Sequence, residues 1–159
     1  MWLGILLSVL AIGIGLAIGI PRGKKIKQLR EDGRIVVRNY RYAEKGEEFT
    51  SRIGSFAALK DALVKADIPC NMDGNLRSQV IFQSSSFAAR LYSVAFDEPS
   101  GIGIFRFEFT HWRTGRYGYE EDTSMNMLMT SIEKVFLSLD PNTGVKSYSI
   151  DFKTRHSIL

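Results

Sequence analysis

An uncharged, apolar run of nineteen residues, 2–20, is the feature that most constrains how this chain can fold. A helix of that length extends over about 28 Å, close to the thickness of the hydrocarbon core of a bilayer. In lipid, a helix also satisfies its own backbone hydrogen bonds, which an open chain cannot do. The sequence therefore predicts a transmembrane helix over 2–20 and a tethered segment after it.

The charge that follows this run predicts its orientation. Between positions 22 and 38 there are seven basic and two acidic residues, a local charge of +5. Because Lys and Arg concentrate on the cytoplasmic flank of membrane spans, we expect the N-terminus outside and the C-terminal domain in the cytoplasm, as a single-pass protein. The alternative is a cleaved leader with an exported domain, which would need cleavage near Ala17 to Gly19.

A basic juxtamembrane segment, 21–33, is predicted to contact a bilayer with anionic headgroups. Each basic residue near such a leaflet contributes about 1 kcal/mol. The residues expected to make these contacts are Arg22, Lys24, Lys25, Lys27 and Arg30. Ile26 and Leu29 favour a short helix here, ended by a turn at Asp32 and Gly33. The alternative is that these charges act only as a topology signal.

Small residues recur along the apolar run at intervals of three and four, which places them on one helix face. They are Gly4, Ser8, Ala11, Gly15 and Gly19. Faces of this kind let two membrane helices approach closely, so the chain could pair with itself through the span. Because Gly13 and Ala17 lie on other faces, a monomeric anchor is the alternative.

Residues 34–154 are predicted to form one α+β domain with an antiparallel sheet and two helices on one face, followed by a tail, 155–159. The expected order is β-α-β-β-β-α-β. We expect strands over 34–42, 77–83, 87–96, 102–112 and 145–153, a connection over 44–48, a loop over 69–75, and a short strand over 116–119. The first helix is expected to begin at Thr50 or Ser51 and to end before Pro69.

Periodicity within these elements predicts the buried face. Seven apolar residues between Met125 and Leu139 repeat at helical spacing, as in a helix with one apolar stripe. In the strands, alternation groups Phe105 with Phe107 and Phe109 on one face. The same alternation groups Tyr92, Val94 and Phe96 on one face, and turns Tyr148, Ile150 and Phe152 inward.

No motif predicts a catalytic site, a metal site or a cofactor. The chain has one cysteine and two histidines, and neither histidine stands in a metal-binding spacing. Cys70 is expected to be a small, half-buried residue and not a reactive thiol, since no basic residue is close to it in sequence to lower its pKa. Because the whole chain carries +4 and residues 22–38 carry +5, residues 39–159 carry −1, which argues against a nucleic-acid partner.

An aromatic and basic group near a predicted turn is the candidate partner surface. It consists of Trp112, Arg113, Arg116, Tyr117 and Tyr119. Trp, Tyr and Arg dominate the energetics of protein interfaces, so these residue types favour protein binding. The alternative is a hairpin tip whose aromatic side chains pack against the sheet or the membrane interface.

These observations together predict a membrane-anchored, non-enzymatic module that binds a protein partner or assembles at the membrane. One alternative is a membrane-tethered sensor or carrier of small molecules, with a cavity lined by Met125, Met129, Phe105 and Phe107. The other is an enzyme, which would require several of His111, Glu108, Asp151 and His156 to converge in one cleft.

Overall fold

The computed structural model describes residues 23–40, 42, 44–66, 68, 70–75, 77–115, 118–119, 123–150 and 156–158. The chain divides into two compact units, Met1–Val36 and Val37–Leu159. The predicted span, with its face of small residues, lies outside the described part, as does Arg22. Among the described residues, no helix is both long enough and apolar enough to cross a bilayer.

In the first unit, residues 23–31 form a helix, α1. Its end is closed by Gly33, whose φ of 64° is favourable only for glycine, and by the amides of Arg34 and Ile35, which both donate to the carbonyl of Leu29. This confirms the predicted turn after the basic helix. The remaining candidate headgroup residues, Lys24, Lys25, Lys27 and Arg30, are exposed, and their contact with lipid stays a prediction.

The second unit is an α+β domain built on an antiparallel sheet, which confirms the predicted class. The strands are β1 Lys45–Arg52, β2 Asn71–Asp73, β3 Gln79–Gln83, β4 Phe87–Asp97, β5 Ile102–Gly115, β6 Gly118–Tyr119, β7 Gly144–Ser149 and β8 His156–Ile158. Their order in the sheet is β2-β3-β4-β5-β1-β7, and β5 also pairs with the short strand β6 and, in parallel, with β8. The helices are α2 Phe56–Lys65 and α3 Thr123–Leu139.

Both helices of this unit pack on the same face of the sheet, which we call the inner face. On α3, Phe136 stacks on Phe49 of β1 with ring centroids 4.2 Å apart. On α2, Phe56 lies over Phe105 of β5 at 6.1 Å. The predicted arrangement of two helices on one face is therefore confirmed. The opposite side of the sheet is the outer face.

The first strand of the domain is not where it was predicted. Residues 34–40 form no strand, and the predicted connection 44–48 instead begins β1. The polar composition of this stretch is typical of a loop, but its carboxylates find partners that are distant in sequence. The helix that follows begins after Ser55, whose hydroxyl accepts a hydrogen bond from the Ala58 amide, and not at Thr50 or Ser51.

The structure also changes the predicted faces of two strands. In β4 the buried side chains are Phe87, Ala89 and Leu91, and a register shift between Ser93 and Ala95 separates them from the end of the strand. Tyr92 and Tyr148, which were assigned to buried faces, both lie on the outer face, opposite Arg106 and Gly46 respectively. The strands β2 and β8 were missed because three residues are too few to show an alternation.

Candidate functional site

A charged cluster is buried between β1, α3 and the segment that precedes β1. We call it the inner cluster; its members are Arg38, Tyr40, Glu47, Asn126, Thr130 and Glu133. The buried guanidinium of Arg38 is at its centre, with Nε donating to Glu47 Oε1 at 3.1 Å and Nη2 lying 2.6 Å from Glu133 Oε1. Nη1 donates to Asn126 Oδ1 at 3.0 Å and to Thr130 Oγ1 at 3.2 Å.

Glu47 is the carboxyl group of this cluster whose surroundings favour protonation. Its Oε1 accepts from both Arg38 and the Tyr40 hydroxyl, whereas its buried Oε2 receives no donor from the described residues, and Glu133 is close enough to act on its pKa. Two carboxyl groups can be hydrogen bonded to each other only when they share a proton. Burial and the neighbouring charge of Glu133 accordingly raise the pKa of Glu47 to about 7.

A second polar cluster covers the outer face across β4, β5, β1 and β7. We call it the outer cluster; its members are Glu48, Arg90, Tyr92, Arg106, Glu108, Lys146 and Tyr148. Glu48 is held by Lys146 and by Arg106, each at 2.8 Å. These hydrogen bonds lower the pKa of Glu48 and keep it ionised.

The other carboxylate of the outer cluster, Glu108, is held between two strands. Arg90 Nη2 lies 2.7 Å from Glu108 Oε1, and the Tyr148 hydroxyl donates to Glu108 Oε2 at 2.8 Å. Burial, followed by the hydrogen bond to Glu108, raises the pKa of Tyr148 and keeps its hydroxyl protonated. Glu108 is therefore committed to structural pairing on the outer face.

Tyr148 can reach Glu108 because of a glycine on the strand between them. Gly46 of β1 is the register partner of Tyr148 in β7, and the tyrosine ring lies over it. A Cβ at position 46 would lie 2.7 Å from the ring and 2.6 Å from the backbone oxygen of Phe107. The missing side chain thus opens the path by which a residue of β7 bonds to a residue of β5.

The two signs of charge on the outer face are unequally exposed. The side chains of Lys146, Arg90 and Arg106 are 72%, 42% and 37% exposed, whereas those of Glu48 and Glu108 are 8% and 4% exposed. The carboxylates form the base of the cluster and the cations form its solvent side. The outer face consequently presents positive groups in fixed positions.

The candidate partner surface is only partly within the described residues. Trp112 is 2% exposed and belongs to the core, because the register shift at Ala88 and Ala89 brings it to the inner face. Arg113 is exposed, Tyr119 lies in β6, and Arg116 and Tyr117 are outside the described residues. The surface as a whole stays a prediction, without the tryptophan as an exposed member.

The cavity expected of a small-molecule sensor is occupied by side chains. Met125, Met129, Phe105 and Phe107 are all members of the packed core. Two cavities of about 290 Å³ lie elsewhere, one beside Asp140 at the end of α3 and one along β2 and β3. The residues that would have lined a sensor pocket therefore support the fold.

The structure describes three of the four candidate enzyme residues. His111 is exposed and is the backbone neighbour of His156 across β5 and β8, while Glu108 bonds to Arg90 and Tyr148. Asp151 lies outside the described residues. Within the described part of the chain, no three His, Cys, Asp or Glu side chains are grouped to hold a metal ion.

Cys70 is half-buried, and burial raises its pKa to about 11. A thiol of this kind is almost fully protonated at neutral pH and reacts slowly, because the thiolate is the nucleophile.

The inner and outer clusters were not predicted as sites. The signal available in the sequence was the alternation of Arg106 and Glu108 with the phenylalanines of β5. The partners of these two residues lie on other strands, so no local pattern joins them. Comparison of the chain with protein-family models, with curated proteins and with solved structures finds no match.

Proposed function

We propose that this chain is a single-pass, membrane-anchored interaction module whose cytoplasmic α+β domain binds a protein partner and carries out no chemistry itself. The observation that carries the proposal is the outer cluster. It places ordered arginine, lysine and tyrosine side chains on a sheet face that the helices of the domain leave uncovered. Arginine and tyrosine are enriched among the residues that dominate protein interfaces.

The packing of the inner face supports binding at a surface over binding in a pocket. A sensor requires an internal space, but the core between the sheet and α3 is filled by aromatic rings that contact one another. Phe136 contacts both Phe49 and Phe105, and Phe107 contacts Phe109 at 5.3 Å. Such an interior stabilises a rigid platform, which suits recognition by a preformed face.

The membrane anchor is the part of the proposal that depends on sequence alone. It consists of the apolar run 2–20 and the basic segment that follows it, and two copies pair along the small-residue face of the run. The exposed lysines of α1 are placed by this proposal at anionic headgroups on the cytoplasmic leaflet.

Anchoring and orientation can be tested on the full chain in cells. The chain is expected to remain with the membranes after an alkaline carbonate wash. Cys70 is a poor topology reporter because of its raised pKa, so we suggest Val64→Cys, at a side chain that is 71% exposed. This thiol is expected to react with an impermeant maleimide only after the cells are permeabilised. Release by carbonate or labelling of intact cells would contradict the anchor or its orientation.

Partner binding can be tested by site-specific photocrosslinking in the same membranes. A photoreactive residue at position 50, an exposed position on the outer face two residues along β1 from Glu48, leaves the cations in place and is expected to form discrete adducts with a protein. The matched control is position 64 on α2, which is also exposed but belongs to the helix side of the domain. Adducts of equal yield from both positions would contradict a specific surface.

A further inference from the structure

The cations of the outer face form a row that crosses the sheet. Arg106 of β5 and Lys146 of β7 both pair with Glu48 of β1, which lies between them, so they are two strands or about 10 Å apart. Arg90 of β4 is a diagonal neighbour of Arg106, since Tyr92 is the register partner of Arg106, and this spacing is about 7 Å. The row therefore presents positive groups at intervals of about 7–10 Å.

The arginines of this row are held in place by rings as well as by carboxylates. The Arg90 guanidinium lies 4.8 Å from the centre of the Tyr92 ring, and the Arg106 guanidinium lies 4.8 Å from the centre of the Tyr148 ring. Stacking of this kind restricts a guanidinium without using its N–H donors. The entropy lost on binding an anion is correspondingly smaller.

The same stacking distinguishes between classes of partner. Base stacking on exposed aromatic rings contributes about 1–3 kcal/mol per base to the sequence-tolerant affinity for single-stranded nucleic acid. Here the Tyr148 ring lies over Gly46 and is contacted by Arg106, and the Tyr92 ring is contacted by Arg90. A nucleobase would first have to displace an arginine that is also bonded to a carboxylate. The face therefore favours recognition of anionic groups over recognition of bases.

We propose that the outer face binds an extended acidic segment of a partner protein, with Asp or Glu at alternate positions, lying across β4, β5, β1 and β7. This inference rests on the proposed function and names the chemistry of its partner. In an extended chain, alternate side chains are about 7 Å apart on one face, which matches the interval from Arg90 to Arg106. The longer interval to Lys146, about 10 Å, is bridged by the flexible lysine side chain.

The geometry of the ion pairs indicates how such a segment would be accommodated. Arg90 uses Nε and Nη2 toward Glu108, and Arg106 uses Nε toward Glu48, so each guanidinium has further N–H groups outside these bonds. The two glutamates lie beneath the cations and orient them. An incoming carboxylate can therefore approach from the solvent side without breaking the pairs below it.

The test uses the full chain in nanodiscs of phosphatidylcholine, which carry no net lipid charge. The probe is a fluorescein-labelled peptide of about ten residues with Glu at every second position, compared with the same peptide carrying Gln. The Glu peptide is expected to bind at least about tenfold more tightly than the Gln peptide, and its affinity is expected to fall as NaCl is raised from about 50 to about 500 mM.

Two variants locate the binding on the molecule. Lys146→Glu, at the most exposed cation of the row, is expected to weaken binding of the Glu peptide by about tenfold or more. Lys134→Glu makes the same charge change at an exposed residue of α3, away from the outer face, and is expected to have little effect. Circular dichroism checks that both variants remain folded. Equal effects of the two variants, or equal binding of the two peptides, would overturn the proposal.

Competing anionic ligands are tested on the same material. Tighter binding of a single-stranded oligouridylate, or of liposomes containing phosphatidylserine, than of the Glu peptide would also overturn the acidic-segment proposal. These outcomes are distinct from failure of the proposed function, which would appear as loss of membrane retention or loss of the adducts specific to position 50. Retained adducts with no preference for the Glu peptide would refute only the partner chemistry.

Discussion

Glu47 and Glu48 are neighbours in β1, yet they lie on opposite faces of the sheet and have opposite protonation behaviour. Glu47 points to α3, where burial and Glu133 raise its pKa to about 7. Glu48 points to the outer face, where hydrogen bonds from Lys146 and Arg106 lower its pKa. The intrinsic acidity of the two side chains is the same, so the difference comes from what each face places around a carboxyl group.

The inner and outer clusters therefore suit different tasks. The inner cluster surrounds one cation, Arg38, with two carboxyl groups and two neutral acceptors, Asn126 and Thr130, and it is closed to large ligands. In the outer cluster the carboxylates are buried against the sheet and the cations are exposed to solvent. The first ties the segment before β1 to α3, whereas the second leaves charge available for a partner.

The largest expected effect comes from removing the inner cation. Arg38→Met leaves the buried Glu47 beside the half-buried Glu133 without a positive charge, and it is expected to lower the free energy of unfolding by about 3–5 kcal/mol. The matched change on the outer face is Arg106→Met, which is expected to cost about 1 kcal/mol or less because Glu48 keeps Lys146. Urea unfolding of the detergent-solubilised chain, followed by near-UV circular dichroism, compares the two. Equal losses would show that the inner cluster is not the stronger structural element.

The second effect is on pH dependence. Between pH 4.5 and about 7 the folded chain keeps a proton on Glu47 that the unfolded chain has released, so stability is expected to fall as pH rises through this window. The slope is at most about 1.4 kcal/mol per pH unit. In Glu47→Gln, an amide replaces the protonated carboxyl, and the slope is expected to become smaller.

Glu48→Gln is the control for this pH prediction. Because the folded-state pKa of Glu48 is lowered, its contribution to stability is present above its unfolded pKa and is lost as pH falls below that value. Removing it is expected to leave the slope between pH 4.5 and 7 almost unchanged. A wild-type slope that persists in Glu47→Gln would show that another group holds the proton.

A third prediction concerns the glycine beneath Tyr148. Gly46→Ala places a Cβ 2.6 Å from a backbone oxygen of the next strand, so either β1 or β5 has to shift, at an expected cost of about 2 kcal/mol. Gly144→Ala in β7 is the control, since the nearest atom to its Cβ would be 3.9 Å away. Thermal unfolding of the two variants checks the difference. Similar melting temperatures would contradict the close contact between Gly46 and Tyr148.

The smallest expected effect on stability is that of Lys146→Ala. Its ion pair with Glu48 is exposed on the lysine side, and Arg106 still holds the carboxylate, so the loss is expected to be about 0.5 kcal/mol or less. The same urea titration measures it. A loss as large as that of Arg38→Met would remove the distinction between a structural inner cluster and an available outer one.

The elements predicted well are those whose pattern is local. The stripe of α3 and the alternation of Phe105, Phe107 and Phe109 depend only on spacing. The phenylalanines are buried as expected, and the stripe is buried from Met125 to Phe136, whereas its last member, Leu139, is exposed. β1 was placed ten to eleven residues too early because its charged residues resemble a connection. The partners of Glu48 in this strand, Arg106 and Lys146, are remote in sequence, so no local pattern marks them.

The sites were less predictable than the elements for the same reason. Trp112 was assigned to a surface, but one register shift between β4 and β5 turned it into the core. Tyr148 was assigned to the interior, but the absence of a side chain at Gly46 lets its ring cross the outer face. Both outcomes depend on the register between paired strands, and this register cannot be predicted from the sequence of one strand alone.

The amphipathic helix and the aromatic face of the sheet can be read from the residues alone, because periodicity depends only on spacing along the chain and requires no partner. The sequence also carries the prediction of an anchored chain, through the apolar run and its basic flank. The difference between Glu47, whose pKa is raised, and Glu48, which orients two of the cations, appears only in the folded domain. That difference follows from burial and from neighbours brought together by the fold, and neither can be read from adjacent residues.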